Sequence, residues 1–143
     1  MLHLASRLPD YGQRWRLLDN IADEHGHGDV DKNHFSSFNR FLSQLGSEAR
    51  PGTVPPCVLA FNRLLDGVAA LGDWREAIAV FGIIELRFAE ISTRIARVVI
   101  ERGWLKESEL EHYSLHSVLD LSHSEDFFSI IDDQWKQPKG KEA

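Results

Sequence analysis

Two histidines and one aspartate near the carboxyl end of the chain have the spacing of metal ligands on one helix. His116, Asp120 and His123 are separated by four and three residues. At about 3.6 residues per turn, they fall within roughly 60° of one another on a helix face that also carries Phe127 and Ile130. Imidazole and carboxylate groups converging there would suit iron, manganese or zinc. A hydrogen-bonded network without a metal would use the same residues.

A single glutamate interrupts an apolar stripe in the middle of the chain. Apolar residues recur at helical spacings of three, four or seven, which predicts the core-facing stripe of a helix; they are Ile78, Phe81, Phe88, Ile95 and Val99. Glu85 occupies one position of this stripe. A carboxylate in a core is costly unless it is protonated, paired or bound to a metal. Glu85 is therefore a candidate metal ligand or a buried ion-pair partner.

A further two candidate ligands flank a loop rich in glycine and histidine. Glu24 ends a predicted helix, His34 begins the next one, and the loop between them contains His25 and His27. Two ligands across such a loop would close a site between neighbouring antiparallel helices. The two loop histidines are expected to be exposed to solvent.

Together these positions supply three carboxylates and three histidines, a mixture that di-iron sites in helical bundles use. Six ligands are too many for one structural zinc, whose sites usually have about four ligands and are rich in thiolates. The candidate ligands are Glu24, His34, Glu85, His116, Asp120 and His123.

Helices must position these groups, because the apolar residues follow helical spacing and show no convincing strand alternation. Predicted helices cover about residues 7–22, 31–45, 57–71, 73–102 and 106–135, with a kink or break in the last near 122–124. Asp73 is the expected N-cap of the long helix and Gly103 its end, while Ser108 and Glu111 form a capping pair for the last helix. These elements predict one helical metal-binding domain over residues 1–135, followed by a polar tail over 136–143.

The composition argues against several other classes of protein. A formal charge of −6 over 143 residues disfavours nucleic acid as a partner, since phosphate binding needs a basic surface. The single cysteine, Cys57, is expected to be a small core residue. One cysteine cannot form an internal disulfide, which suits a reducing compartment. There is no apolar run long enough for a membrane span, no signal-peptide pattern and no glycine motif for nucleotides. The expected location is the cytoplasm.

Two stretches resemble motifs of a known family, the haem-oxygenase-like di-iron oxidases and oxygenases, which are iron-containing redox enzymes. Residues 116–127 resemble its final His-x3-Asp-x2-His motif, and residues 20–34 resemble its acidic, glycine-rich helix end with a downstream histidine. Glu85 resembles its mid-chain ligand glutamate. The family is related to the chlamydial death-domain-associating protein and, more distantly, to the pyrroloquinoline-quinone synthase and thiaminase folds. The resemblance extends over about residues 10–131.

This resemblance implies an all-α, haem-oxygenase-like helical bundle whose cofactor is two non-haem irons rather than a haem. All six candidate residues would then be iron ligands and catalytic residues, activating dioxygen on a small organic substrate. His112, one turn before His116, is expected to line the pocket or to support a ligand.

One departure from the family pattern concerns the beginning of the chain. The family usually supplies a further ligand glutamate from a preceding helix, and the corresponding position would fall before Met1. A bundle lacking part of this N-terminal helix would expose an apolar groove, so a homodimer that covers the groove is expected.

Two other functions use the same residues. The first is a metal-binding but non-catalytic interaction protein of the same fold, with a truncated site. The second is a metal-free bundle that binds a ligand and in which the polar residues form a hydrogen-bond network. Haem binding is less expected, because the histidines are grouped with acidic residues rather than isolated in an apolar slot.

Overall fold

In a computed structural model, which describes residues 1–47 and 52–135, the chain folds into helices joined by short connections. Within these residues six α-helices occur and no strand, so the predicted all-α class is confirmed. Single 3-10 turns precede α3 and α6, at Gly26–Gly28 and Glu107–Glu109. The α-helices are α1 (Leu2–Arg7), α2 (Tyr11–Glu24), α3 (His34–Gln44), α4 (Pro56–Leu71), α5 (Trp74–Glu101) and α6 (Glu111–Trp135).

Local hydrogen bonds set the ends of the helices that carry the candidate ligands. The Asp73 carboxylate accepts from the backbone N–H of Arg75 at 2.7 Å, and Gly103, with φ of 66°, follows the end of α5. Both predicted boundaries of α5 are confirmed. The Asn33 side chain accepts from the N–H of Ser36 at 2.8 Å and caps α3. The first residue of α3 is therefore His34, a candidate ligand.

The first predicted helix is wrong in its extent, because the structure divides this region into α1 and α2. Leu8, which precedes Pro9, is extended with φ of −68° and ψ of 129°. A residue before proline is pushed out of the helical region by the proline ring. Asp10 then caps α2 by accepting from the N–H of Gln13 at 3.0 Å.

The predictions for the last helix also need two corrections. α6 is continuous from Glu111 to Trp135, so the predicted kink near residues 122–124 is absent from this described helix. The turn before it is held by Glu109, whose carboxylate accepts from the N–H of Lys106 at 2.9 Å. Ser108 does not cap α6 with Glu111, because Ser108 lies inside the 3-10 turn that precedes the helix.

The two longest helices, α5 and α6, pack against each other and form the framework of the fold. Ile78 of α5 lies in one apolar cluster with Phe127 of α6, and Val99 lies in another with Leu110, so the two helices run antiparallel. Their approach is close at Gly82, where an added Cβ would lie 3.0 Å from the side chain of Phe127.

The two apolar clusters lie at opposite ends of the α5–α6 pair and leave a polar segment between them. The first cluster contains Leu4, Ala5, Leu8, Leu17, Ala69, Ala77, Ile78, Phe127 and Ile130. The second contains Phe41, Val99, Leu105 and Leu110. Phe88 departs from the predicted core stripe, since it is 43% exposed. Glu85 lies between the two clusters, on the same helix.

Helix α4 packs on the rest of the protein mainly through its last turns, where Ala69 is buried. Its earlier turns leave apolar side chains in solvent, including Phe61 and Leu64, which is 62% exposed. Cys57 is also exposed rather than in the core, so that prediction is wrong.

None of the helices in residues 1–47 and 52–135 has the length and apolar character needed to cross a membrane. The predicted polar tail, residues 136–143, lies outside the described residues, as do residues 48–51 of the predicted loop.

Candidate metal centre

Four helices bring the six predicted ligands to the polar segment between the apolar clusters. Glu24 is the last residue of α2, and His34 is the first residue of α3. Glu85 lies near the middle of α5. The remaining three lie on successive turns of α6 and are almost fully buried: His116 at 3%, Asp120 at 2% and His123 at 3% exposure.

One half of the segment is organised by two imidazole–carboxylate hydrogen bonds. The Nδ1 of His34 donates to Glu24, across the glycine-bearing loop. The Nδ1 of His116 donates to Asp120 Oδ1 over 2.7 Å, one turn further along α6. The rings of His34 and His116 stack with their centroids 3.8 Å apart. These contacts join α2, α3 and α6 at one point.

The other half is organised around His123, and it includes a residue that the sequence analysis did not single out. The Nε2 of His123 donates to Asp23 Oδ2 over 3.0 Å, while its Nδ1 lies 3.9 Å from Glu85 Oε2. Asp23 also accepts from His27 Nε2 at 2.7 Å, through its second oxygen. The four-residue spacing of Asp23 and His27 on a helix end was the signal that could have identified this pair.

The loop between α2 and α3 adopts a conformation that keeps Asp23 in place. His27 has φ of 51°, the one positive φ of a non-glycine residue in residues 1–47 and 52–135. Such a backbone is uncommon outside glycine and persists only where neighbouring contacts hold it. The predicted exposure of both loop histidines is seen in the structure, but His27 also holds one oxygen of the carboxylate that orients His123.

Two groups of side chains offer ligand atoms close enough together to hold a metal ion. Glu24, Asp120 and His123 form the first, and we call it the carboxylate group; His34, His112 and His116 form the second, the imidazole group. Within each group the ligand atoms lie within 4.8 Å of one another. Five of the six predicted ligands belong to one of these groups. Glu85 belongs to neither group, although its carboxylate lies 3.9 Å from His123 Nδ1.

A cavity of about 220 Å³ lies beside these residues. Its polar lining consists of Glu24, His34, Glu85 and Asp120. Its apolar lining consists of Met1, Phe81, Ile84 and Phe88. The cavity is therefore suited to a small molecule that has an apolar body and lies next to a charged centre.

The carboxylates of this segment are held in different protonation states. Burial alone would raise the pKa of Glu24, but the hydrogen bond and positive charge of His34 bring it below its ordinary value. For His34, burial opposes protonation, yet the Glu24 carboxylate raises its pKa overall. Burial and the negative charges of Asp120 and Glu24 raise the pKa of Glu85 to about 8. Glu85 is therefore mostly protonated at neutral pH when no cation is near.

Within the described part of the chain, two buried polar atoms of this segment lack a hydrogen-bond partner, which fits a metal site better than a closed hydrogen-bond network. Asp120 Oδ2 and His123 Nδ1 are buried and find no hydrogen-bond partner among the described residues. A buried polar atom without a partner costs about 1–3 kcal/mol. Because the atoms belong to a carboxylate and an imidazole, a cation that accepts both lone pairs would remove this cost.

The chain matches one family model, whose description is iron-containing redox enzyme, over residues 1–142. No curated protein and no solved structure gives a significant match.

Proposed function

Because the chain belongs to the family of iron-containing redox enzymes, we propose that it is a non-haem di-iron oxidase or oxygenase that acts on a small organic substrate. The family indicates an iron-dependent redox role, and the helical fold agrees with its haem-oxygenase-like bundle. The number of irons, the use of dioxygen and the kind of substrate belong to the proposal.

The observation that carries the proposal is the convergence of two ligand groups from three helices, α2, α3 and α6, with two ligand atoms of the carboxylate group left unpartnered by the residues that the structure describes. Glu24, Asp120 and His123 supply one set of atoms, while His34 and His116 supply the adjacent set. Two carboxylates and the nearby Glu85 would neutralise most of the charge of two divalent cations. This mixture of hard oxygen and imidazole ligands is typical of di-iron centres in helical bundles.

The side chains around the centre would perform three tasks. Burial and the negative charges of Asp120 and Glu24 raise the pKa of Glu85, and nearby cations would lower it again, so Glu85 would lose its proton as cations bind. Phe81 and Ile84 would hold the apolar part of the substrate and keep water from the centre. Ferrous iron, once bound there, would supply the electrons that activate dioxygen.

Iron stoichiometry and oxygen uptake test this function together. We expect about two irons per chain after anaerobic loading with ferrous salt, as in bundle di-iron sites, and an oxygen-dependent change in the absorption spectrum when air is admitted. Asp120→Ala should abolish iron binding at the carboxylate group while the helical circular dichroism is retained. Asp19→Ala is the control, since Asp19 is an exposed carboxylate on α2.

The outcomes of this experiment distinguish the three functions and test the assignment of the site. Iron that binds without oxygen uptake or spectral change would refute catalysis and leave the metal-binding, non-catalytic interaction protein. No iron in a folded protein would refute both and leave the metal-free bundle. Normal iron binding by Asp120→Ala would show that the site is assigned to the wrong residues.

A further inference from the structure

His112 is a buried histidine beside the centre that the six predicted ligands do not include. It is 3% exposed, and its ring centroid lies 4.7 Å from that of His116 and 5.0 Å from that of His34. Placing three imidazoles side by side, with His112 and His116 buried, gains little from packing alone, because each buried ring brings a polar nitrogen that needs a partner.

Hydrogen bonds to Ser37 determine which nitrogen of His112 carries the proton. The Ser37 hydroxyl donates to the backbone carbonyl of His34 at 3.0 Å, and its oxygen lies 2.8 Å from His112 Nδ1. A hydroxyl has a single proton, which the carbonyl already receives. His112 must therefore donate from Nδ1, and the neutral ring carries its lone pair on Nε2.

This arrangement is the one that metal-ligating histidines adopt. Such a histidine donates one ring nitrogen to a protein acceptor, which fixes the tautomer and the ring orientation, and binds the metal through the other.

We propose that His112 is a further metal ligand, through Nε2, and that it holds one ion together with His34 and His116. The ligand atoms of these three residues lie within 4.8 Å of one another. The proposal rests on the proposed di-iron function and adds a ligand to the set that the sequence predicts. It also makes the centre asymmetric, with three imidazoles around one ion and the carboxylate group around the other.

A purely structural role for His112 is the competing explanation, since its ring also contacts Phe38 and Tyr113 at centroid distances of 5.3 and 4.8 Å. His112→Gln separates the two roles. Glutamine keeps an N–H donor for Ser37 and a similar length, but it lacks the ring nitrogen that binds a metal. An exposed histidine on α1 offers the matched control, His3→Gln.

The experiment is a titration of the metal-free full chain with cobalt(II) against a competing chelator. The wild type and His3→Gln should bind two ions per chain. His112→Gln should bind one ion as before and the other at least about 100-fold more weakly, since even changes beyond the direct ligands cost 10–100-fold. Two ions bound by His112→Gln with wild-type affinity would refute the role of His112 and leave the proposed function intact. No ion bound by the wild type would refute both.

A second measurement on the wild type does not depend on a variant that folds. In the ¹⁵N spectrum of the histidine side chains, the Nε2 resonance of His112 should show an unprotonated nitrogen without metal and should shift on saturation with zinc. A protonated Nε2, or a resonance that zinc leaves unchanged, would refute the proposal.

Discussion

The pH dependence of stability in the metal-free protein gives the sharpest test of the electrostatics around Glu85. Its side chain is 14% exposed, and burial with the charges of Asp120 and Glu24 raises its pKa from the ordinary 4.5 to about 8. Between these two values the folded state binds a proton that the unfolded state has lost. The free energy of unfolding therefore falls as pH rises through this range.

The size of this effect follows from the two pKa values. Each tenfold difference in proton affinity is worth about 1.4 kcal/mol, so the shift of Glu85 corresponds to on the order of 5 kcal/mol at full ionisation. Glu85→Gln replaces the protonated carboxyl with a neutral group of the same shape and should remove this dependence. Near pH 5 the two proteins should be about equally stable, whereas near pH 9 the variant should be more stable by several kcal/mol.

Urea unfolding of chelator-treated protein at a series of pH values measures this difference. His34 also titrates in this range, and because its pKa is raised it removes stability as pH rises. The lowered pKa of Glu24 acts below this range, where it removes stability as pH falls. Both effects are present in the two proteins, so the comparison isolates Glu85. Stability curves that stay parallel from pH 5 to pH 9 would refute the buried, charge-coupled position of Glu85.

Three further predictions concern other parts of the fold. Asp23→Ala should weaken cobalt binding by about 10–100-fold, because His123 would lose the acceptor that orients its ring. An unchanged affinity would show that Asp23 does not position His123. Gly82→Ala should lower the free energy of unfolding, measured with urea, by about 1–3 kcal/mol, because the added Cβ would lie 3.0 Å from the Phe127 side chain. An unchanged free energy would contradict the close packing of α5 and α6. Leu64 of α4 is 62% exposed, so a second copy of the chain could cover it. In that case light scattering should find a dimer for the wild type and a monomer for Leu64→Glu. A wild-type monomer would rule the dimer out.

The candidate centre combines residues that were visible in the sequence with residues that were not. The three positions on α6 could be placed on one face because helical spacing alone fixes their relative directions. The contact of Asp23 with His123 was missed because the two residues lie 100 positions apart in the chain. The role of Ser37 was missed for the same reason, as it meets His112 across 75 residues. Whether the six predicted residues bind iron stays a prediction.

The sequence by itself determined the features that depend on residues a few positions apart. These are the all-helical class, the boundaries of α5 at Asp73 and Gly103, and the shared face of His116, Asp120 and His123. Helical spacing and caps operate within about four residues, so they can be read directly from the chain. The family motifs are of this local kind too.

Only the tertiary structure decided which faces meet and which stay in solvent. It left Phe88 half exposed despite its place in the apolar stripe, and it placed Glu85 opposite His123. It also divided the predicted ligands into a carboxylate group and an imidazole group, and it brought His112 into the second. These outcomes depend on the packing of α2, α3 and α5 against α6. No local pattern predicts this packing, because helices far apart in the chain are brought together by the burial of their whole surfaces.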